Sequence, residues 1–312
     1  MPLICLNQYF FVILGQFSCS RIIYESNHTK KQIMRNTILS LLLSLLTSSV
    51  FAQQDQTFSV NGVAFKMKFV KGGTFTMGAT KEQGSASEDK EKPAHKVSVN
   101  DYYIGQTEVT QALWMAVMGS NPSEFRGYDH PVENVSWDDC QEFITKLNAM
   151  TGSKFRLPTE AEWEFAARGG TKSQKYKYSG SNRHLDVAWS ADAIEAILPK
   201  DVPYTTNVFN PEQNMPTSED ETNSTQIVGL KSPNELGIYD MSGNVWEWCA
   251  DRFDEDYYKN SPTNNPQGPV SGVNRVHRGG SWRSGEWYCR VSNRNADVPG
   301  YSYSTLGLRL AL

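Results

Sequence analysis

The sequence predicts an α+β domain rich in irregular structure. Three observations support this: a stretch of alternating apolar and polar residues broken by Asn61-Gly62, three helix starts followed by apolar residues three and four apart, and a last third made of short segments between turn residues. Twenty-three glycines and fourteen prolines supply the turns, and 12% of the 312 residues are aromatic. With 39% apolar and 21% charged residues the chain is neither disordered nor fibrous. A net charge of −4, from 30 basic and 34 acidic residues, argues against nucleic acid or an anionic membrane surface as partner.

The elements follow in order. Lys30, Lys31 and Arg35 precede the apolar run Ile38 to Leu46, and small residues lead to Ala52, which is the pattern of an export signal cleaved after Ala52. Met34 reads as the natural start, and residues 1–33 as a doubtful extension. The apolar run is too short for an ordinary membrane span of about 20 residues. What remains is a single domain over 57–312 with three cysteines, Cys140, Cys249 and Cys289. Phe58 to Val70 is expected to be a β-hairpin turning at Asn61-Gly62, and Gly72 to Gly78 a short strand between glycines. The charged segment Lys81 to Lys92 reads as a solvated loop without chemistry.

Thr110 caps a helix carrying Leu113, Trp114, Val117 and Met118. Ser136 starts a second, with Asp138 and Asp139 in its first turn and Phe143, Ile144 and Leu147 on one face. Thr159 and Glu162 form a capping box for a third, whose Trp163, Phe165 and Ala166 are core residues. Long irregular loops are expected from Gly169 to Leu230. No internal repeat or splitting linker is present.

Eight stretches, taken in order, resemble the formylglycine-generating-enzyme or sulfatase-modifying-factor family. They are Gly72 to Gly78, Glu108-Val109-Thr110, Pro131 to Trp137, Arg156 to Glu164, Asn234 to Met241, Gly243-Asn244-Val245-Trp246-Glu247-Trp248, Arg278-Gly279-Gly280-Ser281-Trp282 and Gly307-Leu308-Arg309. The resemblance implies an elaborated C-type-lectin-like fold with a small antiparallel sheet, packed helices and much irregular structure. It also implies structural calcium, with Gly243, Asn244, Val245 and Glu247 as the ligand segment and Glu247 as its carboxylate. In the other reading, Glu247 and Asn244 hydrogen-bond a turn. A second family calcium site, near Asp186 to Trp189, matches too loosely to carry ligands over.

Enzymes of this family hold Cu(I) between two cysteines separated by four residues and oxidise a sulfatase cysteine with O₂. Here the two positions are Ser284 and Cys289. A hydroxyl is a hard group that stays protonated at neutral pH, so two-sulfur copper binding is not expected. Cys140 reads as a buried inert thiol, while Cys249 is the candidate to bridge Cys289, as a disulfide rather than a metal site in an oxidising compartment. His95, His184 and His277 are isolated in sequence, and there is no metal-ligand spacing, nucleophile elbow or phosphate loop.

A different function rests on Ser281 to Ser304, where Ser, Tyr, Trp, Gly and Asn make up 14 of 24 residues. That is the composition of an antibody-like paratope. The segment from Arg278 to Ala311 also resembles that of retroelement-diversified variable proteins. Arg283, Ser284, Gly285, Tyr288, Ala296, Asp297 and Gly300 to Ser304 are of the kind that varied codons yield, and Arg290, Val291, Asn293 and Arg294 look like framework. The expected protein is exported (periplasmic, cell-surface or secreted) and binds a protein, peptide or glycan through Trp282, Arg283, Ser284, Trp287, Tyr288, Tyr301 and Tyr303. The alternatives are a formylglycine-generating or related oxidase using Cys289 in a rearranged site, and a scaffold that has lost its ligand.

Overall fold

The computed structural model describes residues 54–193 and 224–312, and the export signal and doubtful extension lie outside them. Residues Asp55–Leu312 form a compact unit. Strands β1 (Gln56–Val60) and β2 (Val63–Val70) make the expected hairpin, and β2 continues antiparallel onto β5 (Tyr102–Gly105). Asn61 and Gly62 both take positive φ, 49° and 85°, which a two-residue turn matching the strand twist requires. The strand β3 (Gly73–Met77) pairs antiparallel with β4 (His95–Val99). A third sheet, in the order β8-β7-β6-β9, holds β6 (Trp246–Arg252), β7 (Arg275–Arg278), β8 (Arg294–Asp297) and β9 (Leu306–Leu308). Among the described residues there are thus three small sheets, and β9 runs parallel to β6 because the chain returns through the long segment after β8.

Three helices start where their caps predict. They are α1 (Gln111–Met118), α2 (Trp137–Thr151) and α3 (Glu160–Ala167), with the Thr110, Ser136 and Thr159 hydroxyls accepting from the third backbone N–H of each helix. The short α4 (His184–Val187) interrupts the irregular stretch after α3.

Period-two alternation in the third sheet sorts the core. Trp246, Trp248, Leu306 and Leu308 pack on one face with Phe143, Ile144 and Leu147 of α2. Cys249 and Val276 pack on the other with Trp163, Phe165 and Ala166 of α3. That second face also carries charge: the four arginines Arg278, Arg290, Arg294 and Arg309 are all fully buried. Each meets a glutamate. Arg309 pairs with Glu247 at 2.6 Å, Arg294 with Glu160 at 2.7 Å and Arg290 with Glu91 at 2.7 Å, and Arg278 pairs with Glu164. The segment Lys81 to Lys92 is solvated over most of its length, as expected, but it buries Gln83 and drives Glu91 into the core to meet Arg290. Among the described residues no helix is long and apolar enough to cross a membrane.

Candidate functional site

The segment from Trp282 to Ser304 is bolted down at intervals. Arg290 sends both terminal nitrogens to the two oxygens of Glu91, and Arg294 makes a fork of 2.8 and 2.7 Å with Glu160. Arg278 adds bonds to the carbonyls of Val291 and Ser292 at 3.0 and 2.9 Å. Trp282, Cys289 and residues 290–294 are buried, and the remaining side chains of the segment are exposed or half-buried. Arg290, Val291, Asn293 and Arg294, the framework positions, are all buried, while Arg283, Ser284, Gly285, Tyr288, Ala296, Asp297 and residues 300–304 are all exposed or half-buried.

Trp287, Tyr301 and Tyr303 are 49%, 54% and 41% exposed, large for apolar rings on a packed scaffold. Trp287 lies 5.8 Å from Tyr288, Tyr288 meets Trp246 at 6.2 Å, and Tyr301 and Tyr303 meet edge to face at 6.1 Å. Arg283 is exposed. Trp282 departs from expectation, since it is buried: its ring stands edge-on to Phe125 at 5.2 Å and its Nε1 donates to Ser304 O at 3.0 Å. It supports the face rather than lining it. Ser284 is half-buried and turns its Oγ to Ser281, 2.9 Å from that hydroxyl.

The cysteine expectations change. Cys140, Cys249 and Cys289 are all free and buried, so the Cys249–Cys289 bridge does not form. The reason is geometric: Cys249 faces α3 from β6, whereas Cys289 sits on a short turn against Tyr178, Val187 and Ala188. Burial, together with Asp192 and Glu286, pushes the Cys289 thiol up to about 12, so it stays protonated. Its turn neighbour at the other family position offers only a hydroxyl already bonded to Ser281. These residues do not fit Cu(I).

Nor does the expected carboxylate, Glu247, fit calcium. Glu247 Oε1 accepts from Arg309 Nη2 at 2.6 Å and Nε at 3.1 Å, and Oε2 accepts from Trp163 Nε1 at 2.6 Å and Arg309 Nε at 2.9 Å. Three N–H groups thus engage both oxygens of the carboxylate, with a guanidinium alongside that repels a dication. Asn244 exchanges hydrogen bonds with Gln226, and Gly243 donates to Gly279 O. A Cβ on Gly243 would stand 2.1 Å from Trp189 O, so its glycine serves close packing. Val245 is fully buried in the core. Among the described residues no group of three or more His, Cys, Asp or Glu is placed to hold a metal.

Two features escaped the sequence reading. His277, isolated in the chain, donates from Nε2 toward Asp297 Oδ2 at 3.2 Å, and Trp246 and Trp248 stand edge-on to its ring at 4.8 and 5.4 Å. Burial lowers the His277 pKa despite Asp297. The residues of β6, β7 and β8 two apart share a face, which is the signal that joins Trp246, Trp248, His277, Asn295 and Asp297, but only once the register is known. The two clefts of about 250 and 260 Å³ lie elsewhere, along β2, β5 and α1 and beside Asn100, Arg156 and Asn265.

Residues 53–312 match the sulfatase-modifying factor enzyme 1-like domain. The chain belongs to this family. Family relatives include chaperone protein LppX of Paenibacillus barcinonensis, 37% identical over 66% of this chain and 76% of its own. The formylglycine-generating enzyme of Streptomyces coelicolor is 31% identical over 77% of this chain and 87% of its own. Among solved structures, Treponema denticola variable protein 1 is similar with a TM-score of 0.65 and 33% identity, covering 82% of this chain and 98% of that one. The fold is accordingly the C-type-lectin-like one of this family.

Proposed function

We propose that this sulfatase-modifying-factor domain is an exported binding protein that holds a protein ligand on the face formed by Arg283, Trp287, Tyr288, Tyr301 and Tyr303. One observation carries the reading: in the segment 282–304 the anchors are buried ion pairs, while Arg283, Trp287, Tyr301, Ser302 and Tyr303 are exposed. Rigid aromatic rings lose little entropy on contact, which suits an exposed aromatic face to a macromolecular partner. Relatives called a variable protein and a chaperone lend support. The basic, apolar and small-residue order up to Ala52 supports export.

The test compares wild type with Trp287→Ala/Tyr301→Ala/Tyr303→Ala in crosslinking to proteins of the source cell's envelope and surroundings. A protein captured by wild type and not by the triple variant, at equal melting temperature, supports the reading. Identical capture by both sinks it. An oxidase function makes the opposite demand: turnover of a Cys-x-Pro-x-Arg peptide with Cu(I), abolished in Cys289→Ala, would replace the binding reading.

A further inference from the structure

We infer that this face selects a basic side chain, lysine or arginine, on its protein partner, that Asp297 is the selecting residue and that His277 positions it. The inference rests on the binding function proposed above. The Asp297 side chain is 32% exposed, and only its Oδ2 is engaged, by His277 Nε2; among the described residues no hydrogen bond reaches Oδ1. An outward carboxylate oxygen in partly apolar surroundings attracts a cation more strongly than one in bulk water.

The nearby cations of the protein are committed elsewhere. Register places Arg275 opposite Asp297, yet its guanidinium lies over the Trp137 ring at 3.8 Å and its Nη1 donates to Ala250 O at 2.8 Å. Lys90, the other cation felt by His277, pairs with Glu88 at 2.9 Å. Tyr303 lies close enough for Asp297 and Tyr301 to add to the effect of burial in raising its phenol pKa, and Trp246 links His277 to Tyr288. A carboxylate beside aromatic rings combines a charge-assisted hydrogen bond with cation–π attraction, the chemistry that recognises ammonium or guanidinium. An acidic partner would instead be repelled.

His277 fixes the direction of that carboxylate. Its Nδ1 is buried with no hydrogen bond from the described residues, so the neutral tautomer with the proton on Nε2 fits, and the two tryptophans pack edge-on to the ring while Asp297 accepts from it. His277 touches no ligand in this scheme.

The experiment selects a random peptide library on the full chain and measures the affinity of recovered peptides. Peptides rich in Lys or Arg are expected, each losing affinity about tenfold or more on Asp297→Asn. Replacing the peptide's basic residue by Gln should cost the same, with no further loss when both changes are combined. His277→Ala should weaken binding while His277→Gln, which keeps a donor near Nε2, restores it. Should His277→Ala fail to fold, the half-exposed Asp297→Asn and the peptide replacement carry the test. Peptides that need Trp287, Tyr301 and Tyr303 but show no basic preference, or ignore Asp297→Asn, overturn this inference and leave the binding function standing. Peptides indifferent to those three aromatics, or no peptides at all, overturn both.

Discussion

Glu247 illustrates how a single residue's neighbours decide its role. The same carboxylate could serve a calcium ion or a guanidinium, and Arg309, itself fully buried, takes it. Breaking such a pair from one side strands the other charge, so Arg309→Met is expected to lose about 3–5 kcal/mol of stability. Urea denaturation checks this, and adding Glu247→Gln to the variant should recover part of the loss. For the same reason EDTA is expected to leave the melting temperature unchanged, since a ligand that binds only the folded state would raise it. The thiols give a second test. Cys140, Cys249 and Cys289 are buried and free, and burial is the main cause raising the pKa of each. Iodoacetamide should therefore label none of the three in native protein and all three in urea, as read by peptide mass spectrometry without reductant.

At the level of elements, the segment 282–304 divides its labour. Its anchors contribute to stability and its outward positions do not, so alanine at Trp287, Tyr301 and Tyr303 together is expected to change stability by less than about 1 kcal/mol, within the usual range for surface sites. Arg290→Ala, which leaves Glu91 buried without its fork, should cost about 3–5 kcal/mol. Thermal melts of the two variants separate these outcomes. The local elements were readable beforehand from chemistry that acts within a few residues. Asn61-Gly62 marked the β1–β2 turn, and Thr110, Ser136 and Thr159 marked the helix starts. The role of Glu91 in the charged segment Lys81 to Lys92 is not legible locally, because its partner is about 200 residues away: nothing near Glu91 announces Arg290.

For the whole molecule, buried acids set the dependence of stability on pH. Burial pushes Glu133 up to about 8, and burial with the like charge of Glu160 pushes Asp251 up to about 8. Each folded-state pKa lies above its unfolded value, so the native state holds these protons longer. Their contribution is complete below the ordinary carboxylate range and is lost as pH rises toward about 8. The slope is up to about 1.4 kcal/mol per pH unit for each group. Glu91 acts in the other direction. Burial alone would raise its pKa, but hydrogen bonds from Arg290 and Ser292 bring it below the usual value, so its contribution is lost as pH falls through the acid range. Stability is expected to peak in mildly acidic solution and decline toward pH 8. Melting temperature measured across pH checks this, and Glu133→Gln should flatten the alkaline side.

The sequence by itself determined the α+β class, the hairpin and the three capped helices. Each depends on backbone preference, capping chemistry or side-chain period over a short stretch. Even the absence of the cysteine pair was plain from Ser284 and Cys289. Only the tertiary structure decided which buried charge meets which. It paired Glu247 with Arg309, separated Cys249 from Cys289 and set His277 against Asp297, through strand register and packing between segments distant in the chain. Such pairings follow from long-range geometry, which no local preference encodes.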